Sequence, residues 1–190
     1  MPDFTILKKF ILGTGCDRMP DPVFRLMIIL YKIYYFFKPP EKYLEKFGIQ
    51  PGFTVVDYGC GPGAFIKAAS EKTGDKGRVY AIDIQALAIS AVKKIIDRHN
   101  LKNVIPVLSR VIKSEIPAGT ADLIYALDMF HMVKDHSGFL KELKRISKPD
   151  ASLILEDGHQ SRKLTKQKIL GSGAWEIVEE QKRFLRCKPL

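Results

Sequence analysis

One stretch constrains the chain more than any other: Phe53-Thr54-Val55-Val56-Asp57-Tyr58-Gly59-Cys60-Gly61-Pro62-Gly63. Its first half is β-branched and apolar, the pattern of a strand buried on both faces of a parallel sheet. It then breaks into glycines at alternate positions and enters Ala64-Phe65-Ile66-Lys67-Ala68-Ala69, a helical pattern. Strand, glycine turn and helix let a backbone approach a ligand closely, because glycine has no Cβ and tolerates positive φ. Asp57, at the strand's end, qualifies that ligand. Phosphate sites exploit the positive start of a helix, whereas an acid here suits a cationic or hydroxyl-bearing group.

Beyond Phe53, strand and helix patterns alternate, the signature of an α/β sheet. Strands are expected over Arg78–Asp83, Val104–Leu108, Ala121–Leu127 and Ser152–Leu155, and helices over Gln85–His99, Ser137–Ser147 and Lys163–Leu170. Trp175–Val178 and Arg183–Cys187 stand close enough for a hairpin around Glu179 to Lys182. With 190 residues and no internal repeat, one domain spanning 1–190 is expected, large enough for a real core.

Asp83 ends its strand some twenty residues beyond Gly63, where an acid can accept hydrogen bonds from both hydroxyls of a ribose. A dinucleotide fingerprint wants Gly-x-Gly-x-x-Gly, but Gly59, Gly61 and Gly63 are spaced two and two, and Asp57 would repel a pyrophosphate. Both departures point away from a nicotinamide cofactor and toward S-adenosylmethionine, which carries an ammonium, a sulfonium and a ribose but no phosphate.

Val56 to Gly63 resembles the first motif of the class I S-adenosylmethionine-dependent methyltransferases, and Val79-Tyr80-Ala81-Ile82-Asp83 resembles their second. Ala121 to Asp128 is similar to their fourth strand, and Leu140 to Ala151 to the helix and turn that follow. The likeness covers Leu44 to Leu155 best and is strongest to the small-molecule branch that includes quinone-biosynthesis methyltransferases. It implies a doubly wound α/β fold with a mostly parallel seven-stranded sheet. It also implies roles for cofactor-binding residues. Asp57, Gly59, Cys60, Gly61 and Gly63 would face the methionine portion, Asp83 the ribose, and Ile84 the adenine, with Leu127 at the end of the fourth strand. The family often has an acid that contacts the adenine amine; Ser109-Arg110 stands in that region, so Ser109 or a backbone group would serve.

Asp128-Met129-Phe130-His131 follows the fourth strand, beside the expected acceptor. His131 is the candidate general base, its ordinary pKa being near neutrality, with Asp128 beside it. The competing reading is a histidine that packs or bonds backbone. His159 is a second candidate with the same alternative, and Cys60 reads better as a small buried residue than as a nucleophile. The Asn/Asp-Pro-Pro-Tyr/Phe motif for amide and adenine targets is absent, which argues against DNA-adenine and glutamine targets, and the resemblance implies a small-molecule methyl acceptor. RNA or protein substrates, or a non-catalytic cofactor-binding role, are the alternatives.

Before the motifs lies the most apolar segment, Val23 to Phe37, interrupted only by Arg25 and Lys32. It is shorter than the roughly 20 residues a spanning helix needs. Three readings stand open: a lid within an N-terminal helical extension over 1–47, a membrane-surface helix, or a homodimer or core helix. The membrane reading expects Ile28, Tyr31 and Tyr35 to make the contact. Phe4 to Leu12 is a shorter apolar piece, followed by turn chemistry, and Asp21 is placed to cap the long helix with Pro22 at its first position.

A formal charge of +10 raises nucleic acid, anionic lipid or anionic substrate as partners. The basic residues are dispersed, accumulating only after Lys141, which fits a solvated face better than a nucleic-acid stripe. Cys16, Cys60 and Cys187 are too scattered for a disulfide framework, and no metal-ligand set is read. A reducing, cytoplasmic setting is expected. The start, Met1-Pro2-Asp3-Phe4, lacks the marks of a secretory signal.

Overall fold

The computed structural model describes residues 19–109 and 112–190. The apolar piece over Phe4–Leu12, the turn region up to Arg18, and Arg110 lie outside them. One seven-stranded sheet organises the chain: β1 (Thr54–Tyr58), β2 (Arg78–Asp83), β3 (Val104–Leu108), β4 (Ala121–Ala126), β5 (Ser147–Glu156), β6 (Trp175–Glu180) and β7 (Phe184–Pro189). The order is β3-β2-β1-β4-β5-β7-β6. The first five strands pair in parallel, and β7 runs antiparallel between β5 and β6. This is the doubly wound, mostly parallel sheet expected of the sequence, with the expected terminal hairpin.

Strand alternation divides the core between the two faces. Val56, Ile124, Leu153 and Leu155 point toward α5 (His136–Ile146) and α6 (Arg162–Gly171), where they meet Phe139, Leu140, Leu143 and Ile169. Val55, Leu123, Tyr125 and Ile154 belong to the opposite cluster. There they join α2 (Pro40–Leu44) with its following 3-10 turn (Glu45–Phe47), α3 (Ile66–Thr73) and α4 (Ala86–His99) through Leu44, Phe47, Ile66, Ile89 and Val92. Strands buried on both sides need apolar residues at successive positions, and β1 and β4 supply them.

Three expectations need correcting. The fifth strand begins at Ser147 rather than Ser152. Its register with β4 slips between Ala121 and Leu123, and this bulge carries Pro149 and Asp150 out to solvent, so a proline interrupts no ladder. Asp21 does not cap the long helix α1 (Asp21–Phe37); Pro20 precedes it, and Asp21 is its first helical residue. The carboxylate instead accepts a hydrogen bond from Gln85 Nε2 at 2.9 Å. Lastly, Tyr31 and Tyr35 face the protein, not the solvent. Tyr35 packs edge-to-face on Phe65 at 5.3 Å, and Tyr31 donates to Asp128 Oδ2 at 3.1 Å.

Among the described residues no helix is long and apolar enough to cross a membrane.

Candidate cofactor and acceptor site

The winding reverses between β1 and β4, and open sheets bind ligands outside the carboxyl ends at such a point. A cavity of about 810 Å³ occupies that position. Asp57, Gly59, Cys60, Gly61, Asp83, Ile84, Ser109, Leu127 and Asp128 all line it, so the structure brings together nearly all the residues singled out by the sequence. Gly63 and His131 are not on the wall.

The glycine turn is held from below by β2. Gly59 and Cys60 both donate their N–H to the Ile82 carbonyl, at 2.8 and 2.9 Å, and Gly61 donates to Asp83 Oδ2 at 2.8 Å. Gly59 has φ 78°, and a Cβ there would stand 2.8 Å from Met129 Cγ, on the cavity wall. Gly63 is required for a different reason. At φ 81° its missing Cβ leaves room for Ile95 and Val92 of α4, which a side chain would meet at 2.9 and 3.0 Å.

Asp57 is 3% exposed. Burial raises its carboxyl to about 8; the neighbouring Tyr125 hydroxyl opposes this and the Asp83 charge reinforces it. Among the described residues, Asp57 Oδ2 faces only the Tyr125 hydroxyl, and the two do not form a well-aligned hydrogen bond. An orphaned buried carboxylate oxygen on a cavity wall is costly unless a ligand satisfies it. An ammonium group does so, and this fits S-adenosylmethionine at the end where the sequence placed its methionine.

Asp83 has two duties. Its Oδ1 accepts from the Gln85 N–H at 2.7 Å and its Oδ2 from Gly61, so it closes both the loop after β2 and the glycine turn. Each carboxylate oxygen has a second lone pair, available to ribose hydroxyls. Its carboxyl is raised by burial, opposed by these backbone donors. Ser109 is fixed by its N–H to the Asp83 carbonyl at 3.0 Å.

On the opposite side of the cavity, Asp128 adopts φ 50°, a strained backbone for a side chain other than glycine. His159 Nε2 stands 4.0 Å from Asp128 Oδ1, and the rings of His131 and His159 meet edge-to-face at 4.8 Å. The ligating atoms of Asp128, His131 and His159 all lie within 4.8 Å of one another. Gly158, at φ 62°, leaves the space into which His131 Nδ1 fits. The two candidate histidines therefore form one cluster with Asp128, although they come from loops after different strands.

Sequence reasoning missed Glu156, Tyr43 and Arg183 on this wall. Glu156, at the end of β5 and 7% exposed, accepts from the Tyr43 hydroxyl and pairs with Arg183 at 3.4 Å. Burial raises its carboxyl, against the pull of Tyr43 and Arg183. The available signal was an acid ending a parallel strand, as Asp57 and Asp83 do. The roof comes from α1, which places Phe24, Met27, Tyr31, Tyr34 and Tyr35 over the cavity. Gln85 Nε2 ties the start of this helix down, donating to the Met19 carbonyl at 3.1 Å as well as to Asp21.

Residues 49–186 match a family model described as a methyltransferase domain. A solved SAM dependent methyltransferase from Aquifex aeolicus aligns with TM-score 0.70 and 31% identity, over 80% of this chain and 88% of its own. A protein from Pyrococcus horikoshii OT3 shares the fold at TM-score 0.71 and 15% identity, over 84% and 91% of the two chains. Ribosomal RNA large subunit methyltransferase E of Legionella pneumophila (strain Corby) is 30% identical over 145 residues, 70% of this chain and 63% of its own length. (S)-Coclaurine N-methyltransferase of Thalictrum flavum subsp. glaucum is 28% identical over 116 residues, 61% of this chain. The chain spans less than two thirds of either curated relative, only 32% of the coclaurine enzyme. Family model, Aquifex relative and the orphaned acid at the glycine turn agree: the chain belongs to the class I S-adenosylmethionine-dependent methyltransferases.

Proposed function

We propose that this chain transfers a methyl group from S-adenosylmethionine to a small, largely apolar acceptor. The observation that carries this reading is the roof. Helix α1 roofs the 810 Å³ cavity with Phe24, Met27, Tyr31 and Tyr35, walls that suit a compact apolar molecule. When bound, S-adenosylmethionine supplies a methyl group already activated on a sulfonium, whose sulfur keeps the C–S electron pair as the acceptor's lone pair takes the carbon. The protein's part is alignment and exclusion of water. Asp57 pairs with the ammonium, Asp83 accepts from the ribose hydroxyls, and Ile84 and Ser109 flank the adenine. The aromatic roof holds the acceptor in line. Asp128, with His131 and His159 beside it, receives the proton of a hydroxyl or amine acceptor.

An RNA acceptor is what the +10 charge and the ribosomal relative would favour. Much of the basic cluster after Lys141 is engaged within the molecule, however. Arg145 pairs with Glu142, Lys148 with Asp122, Arg162 with Asp157, and Lys166 with Glu180. A salt-sensitive RNA mobility shift would revive that reading.

Calorimetry with S-adenosylhomocysteine tests the site. Wild type is expected to bind one equivalent, and Asp83→Ala to bind at least tenfold more weakly while circular dichroism shows it folded. Unchanged affinity in the folded variant would overturn the assignment.

A further inference from the structure

We infer that helix α1 docks this protein onto an anionic lipid surface, with its inner face roofing the acceptor cavity and its outer face lying in the headgroup region. Leu26, Ile29, Leu30 and Ile33 are each between 55% and 57% exposed. Their spacing of three, one and three residues draws one apolar stripe along a helix. Large side chains this exposed, in a continuous row, mark an interaction surface. The inward residues Phe24, Met27, Tyr31 and Tyr35 meanwhile line the cavity. The helix is apolar on both sides because each side has a different apolar environment to face.

Charge identifies the occupant. Arg25 stands exposed beside the start of the stripe. At the far end, Lys38 Nζ lies 5.1 Å above the Tyr34 ring, the Arg183 guanidinium 4.7 Å above the Tyr43 ring, and Lys42 and Lys182 are exposed close by in sequence. Cations set on aromatic rings at the margin of an apolar stripe match a headgroup layer, where basic side chains reach phosphates while the stripe enters the acyl boundary. The acids nearest in sequence are Asp21, which is hydrogen-bonded to Gln85, and Glu41 and Glu45. The chain's charge of +10 adds a long-range attraction to such a surface. A second copy of the chain fits less well. Its basic margins would oppose one another across a two-fold axis.

The experiment is co-sedimentation with vesicles of phosphatidylcholine alone and of phosphatidylcholine with 30 mol% phosphatidylglycerol, a composition chosen for the test. Expected is binding to the anionic vesicles at least tenfold tighter than to the neutral ones, weakened by salt. Leu30→Ser/Ile33→Ser should lose this binding, and Arg25→Glu/Lys38→Glu should lose the preference for anionic lipid. None of these four residues lines the cavity, so S-adenosylhomocysteine affinity should stay at the wild-type value and show that the variants are folded. Wild-type protein that ignores both vesicle types would overturn the proposal. So would binding that survives Leu30→Ser/Ile33→Ser, or a stripe-dependent dimer in light scattering without lipid. Co-sedimentation itself reads neither methyl transfer nor cofactor, and circular dichroism reports the fold of each variant without ligand, so failure of the docking proposal and failure of the methyltransferase reading are separate results.

Discussion

At the scale of single residues, Asp57 couples the site to protons. Burial holds its carboxyl up at about 8, so near neutrality it is mostly protonated, whereas pairing with an ammonium favours the ionised form. Binding should therefore release close to one proton at pH 7, and affinity should rise with pH until about 8, then level. Calorimetry in two buffers of different ionisation enthalpy measures the proton directly. Asp57→Asn should bind more weakly and release none. Gly63 gives a prediction of the opposite kind, since its role is packing. Gly63→Ala forces a side chain into φ 81° against Ile95 and Val92, which should destabilise by about 1–3 kcal/mol, read as a lower urea midpoint.

At the scale of elements, much was legible because local pattern and tertiary role coincide. β1, its glycine turn and the end of β2 are determined by close backbone packing and buried acids, and both leave marks at fixed spacing. Helix α1 shows where legibility stops. Apolar all round, it offered no periodicity to tell its faces apart, and Tyr31 and Tyr35 turned inward because hydroxyls and rings have partners there in Asp128 and Phe65. Glu156 was equally hidden, since an acid after Leu153-Ile154-Leu155 finds its meaning only when Tyr43 and Arg183 arrive from distant segments. The terminal hairpin is anchored by one residue. Trp175, fully buried, donates its indole N–H to the Leu140 carbonyl at 2.8 Å, joining β6 to α5. Trp175→Ala should cost about 3–5 kcal/mol by chemical denaturation.

At the scale of the whole molecule, three buried acids gather around one cavity, and Asp57, Asp83 and Glu156 are all shifted upward by burial. The ligand-free protein then holds more protons folded than unfolded between the ordinary carboxylate range and about 8. Their contribution to stability is complete below that range and is lost as pH rises through it. The melting temperature of the ligand-free protein should fall by on the order of 5 °C between pH 5 and pH 8, and S-adenosylhomocysteine should restore most of it by neutralising Asp57. The placement of β1 has a kinetic counterpart. It lies in mid-sheet between β2 and β4, with its last four residues buried, whereas α1 has Phe24 as its buried apolar residue among those described. The cavity thus has a floor in the last unit of the molecule to open and a roof in one of the first. Amide hydrogens of Val55 and Val56 should exchange with deuterium only through global unfolding, those of α1 through local opening, and ligand binding should slow the second set far more than the first.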